Sequence, residues 1–247
     1  MAEFNTIRTS GVAGARAAQI DEGLRAHMNK VYSTMSIGML LTFAVAWAVG
    51  TSPQLLAVFR DPATLQPNIL GWIAMFAPLI MVFAFGAMIN KLSAAGARTF
   101  FYVFSAVMGL SLAWIFVAFT GFSIAQIFLV TSIAFAGLSL YGYTTKKDIS
   151  GWGAFLIMGV IGLIVAMVIN IFLASPAIMF AISIIGVLIF AGLTAYDTQN
   201  IKNTYLQHAA HGDKEWLEKS GIMGALSLYL NFINMFMFLL QLFGNRE

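Results

Sequence analysis

Seven runs of this 247-residue chain carry no charged side chain and are long enough to cross ~30 Å of hydrocarbon at 1.5 Å per helical residue. They are Val31 to Gly50, Ile69 to Asn90, Phe100 to Phe119, Ile124 to Tyr143, Gly151 to Leu173, Ala177 to Tyr196 and Gly221 to Phe243. An open sheet edge in lipid leaves backbone groups unpaired, so each run is read as a helix. The fold class expected is an all-α integral membrane protein with seven transmembrane helices. With 60% hydrophobic and 9% charged residues, the composition excludes a soluble domain, which carries roughly 25% charged residues. Residues 20–247 read as a single membrane domain behind a mobile N-terminal arm, residues 1–19. Within the arm's end, Ile20, Leu24, Met28 and Val31 recur at helical spacing and suggest a short interfacial helix. No run in the first thirty residues resembles the core of a cleavable signal, so the first span is expected to direct insertion.

Basic residues test this map independently of hydropathy. Eleven Lys and Arg fall on one side, in the arm (Arg8, Arg16, Arg25, Lys30) and in the 90–99, 144–150 and 197–220 segments. Arg60 and Arg246 alone fall on the other. The positive-inside rule then places the N-terminus in the cytoplasm and the C-terminus outside the cell's inner (plasma) membrane. Basic residues distributed this way report orientation, so no nucleic-acid partner is expected; the lipid bilayer is the first partner. The connections "TGFS" (120–123) and "ASP" (174–176) are so short that spans three and four, and spans five and six, are expected to pack as antiparallel pairs. Gly38 with Thr42, and Gly159 with Gly162, are placed to let helices approach closely.

One acid continues directly from a span: Asp197, in "GLTAYDTQNIK". An ionised carboxylate is costly near hydrocarbon, so either the sixth helix stops at Tyr196 or it runs on to about Gln207, with Gly212 as its breaker, and carries Asp197 into the bundle. The last span favours the second arrangement. Its polar residues Ser227, Asn231, Asn234 and Gln241 are spaced four, three and seven apart, on one helical face. In two antiparallel helices joined near residue 214, Asp197 and Asn231 lie at equal depth. Gln199 is a further candidate for this polar site. Lys91, Arg98 and Lys202 are candidate cations for a cytoplasmic latch onto Asp197, although charges such as Lys91 and Arg98 are more often simply positive-inside determinants. Asn170 either joins the cluster or hydrogen bonds between helices.

The segments "AGLTAYDTQNIK" and "ALSLYLNFINMF", with "TTKKDISGWGAFL" ahead of the fifth span, resemble the paired signature of the Bax inhibitor-1 family, in its bacterial branch. The resemblance covers roughly residues 20 to 244. It implies a seven-helix bundle around a central C-terminal helix and a pH-sensitive calcium leak, and in some members regulation of cell death or of a membrane-bound protease. It also implies a pH sensor in which the acid of the "YD" motif, here Asp197, meets a second acid; this chain has Asn231 there. Two close carboxylates share a proton because like charges cannot easily both ionise. An Asp–Asn pair has no such coupling, and its amide can donate to the ionised form. A cation leak with weakened or shifted pH gating is therefore expected.

Calcium normally takes six or more oxygen ligands. One carboxylate with Asn231, Asn234 and Gln199 would hold it only transiently, as a transported ion, and no resident metal or cofactor is expected. The alternative is a non-enzymatic regulator that binds a membrane protease or another membrane protein. An enzyme is disfavoured. There is no second intramembrane Asp, no H-E-x-x-H and no cysteine. Ser139 and Ser183 lack a nearby span histidine. His208 and His211 could touch a metal but sit by the 214 turn, where a solvated role is the simpler reading.

Overall fold

In lipid a backbone can satisfy its own N–H and C=O groups within a helix, and each apolar run does so. The computed structural model describes residues 3–209 and 213–246, with side chains from Gln19 onward. Among them the helices are α1 (Glu3–Gly50), α2 (Pro53–Phe59), α3 (Ile69–Met88), α4 (Ala94–Leu112), α5 (Ile115–Ala118), α6 (Gly121–Thr144), α7 (Trp152–Leu173), α8 (Pro176–His208) and α9 (Lys214–Phe243). Seven stretches are long and apolar enough to cross a membrane; α5 completes the span that α4 begins. The β-type pairing among these residues is confined to isolated bridges, Arg60 with Pro67 and Phe119 with Arg246.

The last helix is the centre of the bundle. Two thirds of its most apolar stretch is buried, against 17% for α3 and for α7. Around α9 stand α8, α6, α1 and α4, while α3 leans chiefly on α4 and α7 on α8 at the periphery. Leu228, Tyr229 and Leu240 of α9 are fully buried. Tyr229 is held edge-on by Phe101 and Phe104 of α4, with ring centroids 5.6 and 5.7 Å away. Its hydroxyl exchanges a 2.6 Å hydrogen bond with Thr42, which also donates to the Ser105 carbonyl. Three other hydroxyls return to their own helices: Thr131, Thr194 and Ser183 each donate to the carbonyl four residues back.

Two sequence expectations about packing change here. Spans five and six do pair, through α7 and α8, but α4 and α6 do not pack along their lengths. The cause is the break at Ala113–Trp114. There Ala113 N–H and Phe116 N–H turn back to carbonyls three residues earlier, and α5 leads the chain past the end of α1 before α6 begins. The stripe of Leu24, Met28 and Val31 does not form a separate interfacial helix either. It is the continuation of α1, and all three side chains join the protein core.

Glycines set several of these approaches. A Cβ on Gly38 would strike Phe101 and Ser105, and one on Gly159 would strike Ile189, whereas at Gly162 it would meet nothing within 4 Å. One tight crossing is α6 on α8, where the Gly142 backbone lies against the Ala195 carbonyl. Ala174, with φ 47°, takes the left-handed residue of the α7–α8 turn, and Ser175 caps α8. Asn170 serves that turn, its Oδ1 accepting from Ser175 N–H at 3.1 Å; it joins neither the polar cluster nor a neighbouring helix in this way. Trp72, Trp152 and Trp216 lie near helix ends and are well exposed, as interfacial anchors should be.

Gly142→Ala is expected to cost about 1–3 kcal/mol, because rigid backbone faces the added methyl. Gly162→Ala should leave the midpoint of thermal unfolding in detergent unchanged or raise it slightly, and the pair measured together checks the α6–α8 crossing.

Candidate functional site

Helix α8 does not stop at Tyr196. It runs to His208, and α9 starts at Lys214 with the Asp213 carboxylate capping Trp216 N–H at 2.9 Å. The proposed breaker Gly212, and with it His211, lies outside the described residues. His208 stacks on Trp216 with centroids 4.1 Å apart, which ties the two helices together at the turn. Pairing then proceeds in antiparallel register. Ile201 packs where a Cβ of Gly224 would be, and Phe190 stacks on Phe238 further along.

Between those contacts the Asn231 Nδ2 donates to the Asp197 Oδ2 at 2.7 Å. Asn231 is buried, at 4% exposure, and Asp197 is half-buried. The helices α4 and α8 both pack on α9 without packing on each other along their lengths. Ser227 and Asn234, each within one turn of Asn231, are half-buried on the same α9 face, so the carboxylate sits at the edge of a polar strip.

Other candidates are placed elsewhere. Asn234 donates to the Leu230 carbonyl of its own helix at 2.8 Å. Gln199 points away from Asp197, as an i+2 residue on a helix must. Its Oε1 accepts from Ile149 N–H at 2.9 Å and its Nε2 donates to the Lys147 carbonyl at 2.8 Å, which pins the 145–151 loop. The three latch cations do not meet Asp197 in this conformation. Lys202 donates to the Tyr143 carbonyl at 2.7 Å, Lys91 is exposed after α3, and Arg98 turns to Glu218 at 4.0 Å. Glu218 also accepts from Lys30 at 2.7 Å, so one carboxylate of α9 draws α1 and α4 together on the basic face. These side chains are near half exposed, which keeps each pair at ~0–1 kcal/mol.

Sequence spacing did not reveal a hydroxyl chain beside the site. Tyr32 of α1 exchanges a hydrogen bond with Ser139 of α6, and Ser139 another, at 3.0 Å, with Thr198 of α8. Thr198 adjoins Asp197, and the chain joins three helices far apart in sequence.

An acid–amide pair thus joins the last two of seven spans. The family model described as "Inhibitor of apoptosis-promoting Bax1" matches residues 24–247. The chain belongs to the Bax inhibitor-1 family. Among its relatives is the inner membrane protein YbhL of Escherichia coli (strain K12), 45% identical over 225 residues that cover 91% of this chain and 94% of YbhL. A Caulobacter vibrioides protein described as uncharacterized is 43% identical over the full length of both chains. One from Rickettsia prowazekii is 40% identical over 92% of each. A multi-pass membrane protein of the Bax inhibitor-1 family thus places this polar contact at its α8–α9 core.

Asn231→Leu removes the donor and leaves a half-buried carboxylate unpaired, so a loss of about 1.5–3 kcal/mol is expected. Asn234→Leu, whose amide serves its own helix, should cost less than ~1 kcal/mol. Denaturant or thermal unfolding of both variants in the same detergent checks the difference.

Proposed function

We propose that the chain is a non-enzymatic cation leak pathway, with calcium as a transported ion, in which Asp197 is the cation contact and Asn231 its positioning partner. The observation that carries this reading is the 2.7 Å contact between Asn231 Nδ2 and Asp197 Oδ2 in the bundle interior. A carboxylate inside a membrane bundle attracts cations, and intramembrane acids mark ion routes by default. Ser227 and Asn234 supply further oxygens along the same face. Among the described residues no three His, Asp, Glu or Cys side chains gather as a metal set, so a cation here keeps most of its water and passes on.

In this reading the amide lets Asp197 remain an acceptor without a second acid to share its proton, and pH gating is weaker than in a paired-acid site. The N-terminus faces the cytoplasm and the C-terminus the outside, since the basic face carries Lys30, Arg98, Lys202 and Lys219. The barrier on the cytoplasmic side is the cluster of Lys30 and Arg98 around Glu218, in place of a latch onto Asp197 itself.

Calcium efflux from proteoliposomes of the purified protein, followed across pH 5 to 8, tests this. Wild type should conduct with shallow pH dependence, Asn231→Asp should steepen it and shift its midpoint, and Asp197→Asn should reduce flux about tenfold or more. Identical profiles for wild type and Asn231→Asp would refute the role given to the amide. Undiminished flux through Asp197→Asn would refute the site.

A further inference from the structure

The helices around α9 leave an opening between α1 and α6, which do not pack along their lengths. A cleft of about 950 Å³ lies there, walled by Met39 and Ala46 of α1 and by Phe128 and Phe135 of α6, and floored by Phe232 and Phe236 of α9. Phe232 meets both α6 rings at steep angles, with centroids 5.3 and 5.5 Å apart, which makes the floor continuous with that wall. The cleft extends along α1 from Tyr32 to Thr51. At 1.5 Å per residue that is roughly 28 Å, close to the hydrocarbon thickness. At the basic face the Tyr32–Ser139 hydrogen bond joins its two walls. At the opposite end it reaches Phe116 and Gly121, beside the α5–α6 junction.

A cation lies next to that junction, held through Thr120, the residue before the lining Gly121. The Arg246 guanidinium lies over the Phe119 ring, 5.7 Å from its centroid, and the backbone of Arg246 bridges to Phe119. Thr120 N–H and Ser123 Oγ bond Asn245 and hold the C-terminal segment against the junction. The other basic residue on this side, Arg60, donates to the Leu65 carbonyl at 2.6 Å within its own loop.

We propose that the α1–α6 cleft is a phospholipid site: an acyl chain fills the groove and the lipid phosphate rests on Arg246. The walls are mostly apolar, with a few hydroxyls such as Ser36 and Ser132, and belong to spanning helices, so water there would find few partners, whereas an acyl chain needs none. The α1 rim consists of Leu40, Phe43 and Trp47, all largely exposed. These are too bulky for the close backbone approach that a partner helix uses. The planar guanidinium suits a phosphate, and an aromatic platform beneath it limits its motion. This site is separate from the Asp197 face, on the other side of α9, and does not depend on ion conduction.

The experiment is native mass spectrometry of the full-length protein in detergent, titrated with dioleoylphosphatidylglycerol. One lipid should stay bound at activation that strips the rest. Ala125→Trp, which fills the cleft from its exposed α6 wall, should lose that lipid at an unchanged thermal midpoint. Arg246→Ala should retain about tenfold less phosphatidylglycerol and be unaltered towards dioleoylglycerol, which lacks the phosphate. If Ala125→Trp does not fold, the Arg246→Ala comparison decides alone. Equal retention of phosphatidylglycerol by wild type and Arg246→Ala overturns the proposal. So does equal retention by wild type and a folded Ala125→Trp, or a protein dimer that Ala125→Trp dissolves.

Discussion

A carboxylate carried into a helical bundle in lipid needs a donor, and the amide of Asn231 supplies one to Asp197 at 2.7 Å. Meeting that need constrains much else. It requires α8 to continue past Tyr196, and it sets the antiparallel register of α8 on α9. The contacts of Ile201 with Gly224 and of Phe190 with Phe238 are apolar, yet they fall into the same register as the polar pair. Apolar packing and the single charged contact therefore reinforce one another, and a slip of one helical turn would lose both.

The position of α9 gives that contact its setting. Because four helices surround it, α9 has both fully enclosed faces and faces bordered by gaps. Tyr229 occupies an enclosed one, with its hydroxyl satisfied by Thr42. Ser227 and Asn234 form a half-buried strip beside Asn231, and Phe232 and Phe236 floor the cleft between α1 and α6. The polar strip and the apolar cleft floor thus lie on opposite sides of one helix, as residues two or five apart on an α-helix allow. On the basic face, Glu218 closes the bundle by drawing Lys30 and Arg98 from two helices to a third.

Much of this could be read from the residues. The charge-free runs located the spans, and periodicity placed Asn231 on the face that meets Asp197. Where the reading failed, a local detail outweighed the pattern. Four residues of "TGFS" implied that α4 and α6 are neighbours, but the backbone had already turned at Ala113–Trp114. Gln199 seemed near enough to Asp197 in sequence to share its site, and the 200° between i and i+2 sends it to the 145–151 loop instead. Asn170 was spent on the α7–α8 turn, a use visible only once Ala174 is seen in the left-handed region.

What the amino-acid order determined by itself was the number of membrane-spanning helices and their helical form, because hydrocarbon thickness and the cost of unpaired polar groups act on each segment separately. Which helices touch was decided by the tertiary structure alone. The hydroxyl chain from Tyr32 through Ser139 to Thr198, the placement of Glu218 between two cations, and the cleft left open beside α6 all join residues distant in the chain. No single-segment property encodes them, since lipid is as apolar as the helix faces it covers and the choice of partner rests on shape, close backbone approach and a few hydrogen bonds.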